Sequence, residues 1–158
     1  MTNFRPKLET ARACRVVRLD RDILNEAISS GVLPCVPRVE PGRPRYYDPD
    51  DMLALWLYRE LRDDGVEKAT AGEIACAVAD AARQYPDARA ISYVQDYFQR
   101  AIGSNGGSAY PADAVPAHSE WDEVLFSGTD VRKVTTFRIG KMRELIEVAT
   151  AHELSHHD

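Results

Sequence analysis

The chain has 158 residues, the length of one domain or of a small domain with an appendage. Hydrophobic residues make up 44% and charged residues 28%, an ordinary globular balance, and no run approaches the ~20 apolar residues that a membrane helix needs. The net charge of −5 is unevenly spread: residues 1–47 carry nine basic and five acidic groups, the remainder 11 and 20, so a +4 segment precedes a −9 one.

Such asymmetry hints at a nucleic-acid-binding segment joined to an acidic body. The N-terminal stretch is broken by charge throughout, so no secretory leader is expected. Cys14, Cys35 and Cys76 form an odd set with no C-x-x-C pair. Their spacing indicates neither a disulfide framework nor a zinc knuckle, and a reducing, cytoplasmic setting is expected with the three as small buried hydrophobes.

In chain order, residues 9–16 read as a short helix with Ala11, Ala13, Cys14 and Val17 available for burial. Leu19 and Asp20 form a turn, and Asp20 can cap a second helix by accepting from its free amides. Ile23, Leu24, Ala27 and Ile28 make one apolar face of that helix, Arg21, Asn25 and Ser29 another, and Gly31 ends it. Pro34, Pro37, Pro41 and Pro44 forbid helix over 34–45, where an extended loop or hairpin is expected, turning at 40–43 with Val39 and Tyr46 as flanking strands. Asp48, Pro49, Asp50 and Asp51 open a strong helix, apolar on most sides and carrying Trp56 into the core, which stops at Asp63, Asp64 and Gly65.

An alanine-rich helix follows over 70–84, ended by Pro86. Residues 88–102 read as a further helix using Ile91, Val94, Phe98 and Ile102, with strand at 91–94 as the alternative. The glycine-, serine- and proline-rich stretch 103–116 reads as a linker or surface loop. Residues 120–126 and 131–139 have strand composition around turn material at 127–130. Residues 141–152 close as an amphipathic helix using Met142, Leu145, Ile146 and Ala149, with a frayed tail from Glu153.

The order of elements over the first 85 residues resembles the winged helix-turn-helix domain of MerR-like transcription regulators and their excisionase-like relatives. Ala13 and Cys14 in the first helix, Ile23 and Leu24 with the run Ile28 to Leu33 in the second, Gly42, Arg43, Arg45, Tyr46 and Tyr47 in the wing, and Asp50 to Leu55 in the third carry the match. The long dimerising helix of MerR proteins is absent, because Pro86 cuts the fourth helix short. The resemblance therefore covers the DNA-binding part, not effector sensing.

The implied architecture is mainly α with a small β component (α+β). A winged helix-turn-helix occupies 1–85, and a hairpin-plus-helix appendage occupies 86–158, including the loop at 103–116. The implied function is sequence-specific transcriptional regulation on double-stranded DNA. Helix 20–30 would enter the major groove, where arginine reads guanine and asparagine adenine, and the wing 38–46 would reach backbone or minor groove. The candidate DNA-contacting residues are Arg15, Arg18, Arg21, Asn25, Ser29, Arg38, Arg43, Arg45 and Tyr46; of Tyr46 and Tyr47, one is expected in the core and one on the surface.

A small module gains affinity by occupying two half-sites, so a homodimer through the C-terminal region is expected. RNA polymerase or another regulator is the alternative partner of that acidic region. The alternatives to a regulator are an excisionase-like architectural DNA-bending protein and a winged-helix module for an acidic protein partner. G-x-x-x-x-G-K-[ST], H-E-x-x-H, G-x-S-x-G and G-x-G-x-x-G are all absent, and His152, His156 and His157 fall in the last seven positions, where disorder is expected rather than a metal site. No enzyme activity, cofactor or metal is expected, and the expected location is the cytoplasm, on the nucleoid.

Overall fold

The structure, a computed structural model, describes residues 6–37, 42–104 and 106–156. It is a mixed α and β arrangement with two small antiparallel sheets. The first helix, α1 (Thr10–Val17), buries Ala13, Cys14, Val16 and Val17. It ends at Arg18, whose backbone is left-handed at φ 58°. After a three-residue turn, Asp20 caps α2 (Arg21–Ser29) by accepting from the amides of Asp22 and Ile23 at 2.9 and 3.2 Å.

Helix α2 buries only the stripe Leu24, Ala27 and Ile28; Ile23, expected on the apolar face, is 48% exposed because so short a helix covers one stripe. Gly31 closes it at φ 80°, its amide donating to the Ile28 carbonyl and that of Val32 to Ala27, the paired bonds that satisfy a helix end.

The expected Val39–Tyr46 pairing differs in part. Val39 and the turn at 40–41 lie outside the described residues, and strand β2 (Tyr46–Tyr47) pairs instead with an N-terminal strand, β1 (Leu8–Glu9), in the register Leu8–Tyr47 and Glu9–Tyr46. Tyr47 is fully buried and Tyr46 about half exposed.

Helix α3 (Pro49–Asp63) begins as its sequence requires, with Asp48 and Asp51 each accepting from the other's backbone amide. Trp56 is packed against the core but only partly buried: its indole donates to Glu60, and the Arg59 guanidinium lies 5.0 Å from its ring. Helix α4 (Lys68–Gln84) is capped by the Glu67 carboxylate and turns Ala71, Ala75, Val78 and Ala82 inward. The buried carboxylates Asp50 and Asp51 are offset by Arg83, 3.6 and 3.1 Å away, and Arg143 reaches Asp50 at 3.8 Å. Burial pushes the Asp51 carboxyl above its ordinary range, against the lowering effects of its backbone hydrogen bond and Arg83.

The expected helix at 88–102 is instead strand β3 (Ile91–Asp96) followed by the short helix α5 (Tyr97–Ala101). Residues 91–95 are all buried because β3 is the central strand of a sheet ordered β4-β3-β5, and a strand covered on both faces loses its alternation. Phe98 and Ile102, expected inward, are 59% and 65% exposed. The expected loop at 103–116 contains strand β4 (Ser108–Pro111), antiparallel to β3.

The expected strand at 120–126 is absent from the described structure; this acidic stretch folds on itself, with the amides of Glu123 and Val124 both donating to the Glu120 carbonyl. The turn at 127–130 holds, with Ser127 and Gly128 both at positive φ. It leads to β5 (Val131–Phe137), antiparallel to β3.

Helix α6 (Ile139–His156) is longer than expected, and its last turns are not a frayed tail: Glu153 is buried, and His152 and His156 stack at 4.1 Å. His157 lies outside the described residues. Ile146 is buried and Leu145 exposed. Helix α6 packs on α1 and α3, and the buried residues from Leu8 to Ile146 form a single hydrophobic cluster, so the segments before and after residue 85 share one core.

The cysteine arithmetic is overturned. Cys35, in the loop after α2, is joined to Cys76 of α4 in a disulfide, and Cys14 alone is free and buried. An odd count hid a pair because the two partners stand 41 residues apart and meet only in the tertiary fold. With them paired, the spacing no longer argues for a reducing compartment.

Candidate nucleic-acid interface

The turn between α1 and α2 presents a cationic surface. Arg15, Arg18 and Arg21, spaced by three, line a shallow concavity of about 440 Å³ with Ala11, Cys14, Leu19 and Asp20. All three arginines are exposed. The spacing follows from the chain path: Arg15 lies in the last turn of α1, Arg18 takes the left-handed turn and Arg21 opens α2. Burial of Cys14 beneath them pushes its thiol up, with Arg21 and Arg45 opposing that rise.

Acidic groups beside this surface are largely engaged. The Asp20 carboxylate faces the α2 amides, and Glu26 pairs with Lys68 at 3.3 Å. Asp22 is exposed. The cost of carboxylates near a phosphate partner is thereby reduced.

The expected DNA-contacting residues divide into distinct situations. Arg18 and Arg21 are exposed at the turn. Arg15 is bound to Glu153 of α6, with Nη2 2.6 Å and Nε 2.8 Å from Oε1. Ser29 donates its hydroxyl to the Glu26 carbonyl at 3.1 Å, as solvent-facing helical serines do. Asn25 and Arg45 meet, the Arg45 guanidinium donating to the Asn25 side-chain oxygen, so the segment before β2 is tied to the polar face of α2. Arg43 is exposed, Tyr46 sits on the small β1–β2 ribbon, and Arg38 lies outside the described residues.

Sequence reasoning missed two features. One is the Arg15–Glu153 bond, which couples the cationic turn to the far end of the chain; it has no local signal. The other is a cleft of about 310 Å³ beside the three-stranded sheet, bordered by Glu73, Asp96, Tyr110 and Thr129. Its Asp96 carboxylate is already occupied, accepting from the Gln99 amide at 2.7 Å and the Thr129 hydroxyl at 3.3 Å. Next to it, burial and the Glu73 carboxylate push the Tyr93 phenol up to about 12.

Comparison of the chain with protein-family models yields no match, and comparison with curated proteins yields no significant relative.

Proposed function

We propose that the protein is a sequence-specific DNA-binding transcriptional regulator with a winged helix-turn-helix reader. In this reading, α1 and α2 form the helix pair, the polar face of α2 enters the major groove, and the segment 38–46 is the wing. The observation that carries it is the pair of exposed arginines Arg18 and Arg21 at the tight α1–α2 turn, beside Arg15, in a chain of net charge −5. Cations concentrated on one edge of an acidic protein suit a polyanion, and phosphate contacts fix register before bases are read.

The Asn25–Arg45 contact supports the same reading, since it orients α2 and the wing as one unit. Reading of adenine by Asn25 would exchange that contact for the base edge. The exposed Leu145 and Val148, three apart on α6, supply an apolar strip for pairing two copies on adjoining half-sites.

Genome-wide mapping of DNA bound by the full chain tests the proposal and yields the operator together. Discrete, sequence-related sites near promoters are expected. A flat profile at physiological salt refutes it.

A further inference from the structure

The loop between α2 and the wing is held on α4 at two points of one helical face. At Gly72 the Val32 carbonyl approaches so closely that a Cβ there would stand 1.9 Å from its oxygen. One turn further along, Cys76 is joined to Cys35. Positions four apart lie one above the other on a helix, so these contacts fasten the same short segment to the same surface. Leu33, between the two anchors in sequence, and Val36, just after them, are both buried. The chain that leaves this anchor leads within ten residues to Arg43 and Arg45.

We propose that the Cys35–Cys76 disulfide is a thiol-controlled clamp that sets the DNA affinity of the wing; the DNA part of this rests on the function proposed above. Oxidised, the clamp holds the segment 32–35 on α4 and pre-organises Arg45 against Asn25 of α2. Reduced, the segment keeps only its apolar anchors and samples more positions, so DNA binding is weakened.

The reductant is a dithiol. Its thiolate attacks Cys35 Sγ, since Cys35 is the less buried residue of the pair, and Cys76 leaves as a thiolate that takes up a proton. The second thiol of the reductant then displaces Cys35 from the mixed disulfide, leaving two protein thiols and one oxidised reductant, a transfer of two electrons. A low-molecular-weight disulfide reverses the exchange and restores the clamp. Cys14 is buried and stays a thiol in both states, which makes it an internal reference.

The test uses the full chain equilibrated in dithiol/disulfide buffers of graded potential. Alkylation with mass spectrometry reads the state of each cysteine, and hydrogen exchange reads residues 31–37. The expected result is a two-electron transition at Cys35 and Cys76, faster exchange over 31–37 in the reduced form, and a roughly five- to tenfold weaker affinity for mapped DNA sites. The variant C35S/C76S is expected to match the reduced protein and to ignore the buffer.

Two free thiols at every potential, or identical exchange over 31–37 in both states, overturns the clamp. Equal DNA affinity in both states with altered exchange overturns its control of DNA binding. Altered exchange with no DNA binding in either state supports the clamp and removes the DNA-binding reading instead.

Discussion

Gly72→Ala isolates the contact between the loop after α2 and α4. In a helix interior this change adds about 1 kcal/mol of stability through propensity. Here the new Cβ would stand 1.9 Å from the Val32 carbonyl oxygen and 2.8 Å from its carbon, about 1.5 Å inside ordinary contact. The obstacle is backbone, so no side-chain rotation relieves it. The loop cannot swing aside freely either, since Cys35 holds it to Cys76 one turn away. Overpacking of this kind costs about 1–3 kcal/mol, and backbone against backbone belongs at the upper end, which outweighs the propensity gain. A net loss of about 2 kcal/mol is expected, or roughly 4–8 °C in Tm for a chain of this size. Circular dichroism melts of wild type and variant, oxidised and reduced, read it directly. The loss should shrink in the reduced protein, where the loop can yield. An unchanged or higher Tm in the oxidised variant would refute the close approach.

Arg15→Met strips the buried Glu153 carboxylate of a guanidinium partner and should lower the urea midpoint, by less than for a fully buried pair because Arg15 is half exposed. Arg18→Gly replaces a left-handed arginine with the residue that adopts this conformation freely, so its Tm should hold or rise while DNA affinity falls. Tyr93 has a folded pKa raised to about 12, so its contribution is intact below the ordinary phenol range and is lost as pH climbs from about 10 to 12; Tyr93→Phe should remove up to roughly 2–3 kcal/mol of that alkaline loss in pH-dependent denaturation. Glu67 is lowered by the Ala69 and Thr70 amides, so its contribution is present above the ordinary glutamate range and lost as pH falls through the lowered value; Glu67→Gln should flatten the acid limb of a Tm-against-pH series.

The first three helices were legible because their signals are local. Asp20 and Asp48 cap by their own side chains, Gly31 and Gly65 take the left-handed stop, and Pro49 sits where its missing amide costs nothing. Strand β3 was ambiguous since its pairing with β4 and β5 and its packing on α4 depend on segments that Ile91 to Asp96 do not encode. Strand β4 was hidden in a stretch whose glycines and prolines read as loop, and β1 by having only two residues. The cationic turn was visible as the spacing of Arg15, Arg18 and Arg21. The ties that modify it, Arg15 to Glu153 across 138 residues, Arg45 to Asn25 and Cys35 to Cys76, depend on the tertiary fold.

DNA recognition stands or falls on electrophoretic shift of a mapped site, repeated across salt. Wild type should bind with a log–log salt slope that becomes shallower by about 2 in the Arg18→Ala, Arg21→Ala double variant, as expected for two lost cation contacts to phosphate. Arg43→Ala with Arg45→Ala should weaken binding further. An affinity and salt slope unchanged by both double variants would contradict DNA recognition through the α1–α2 turn and the wing.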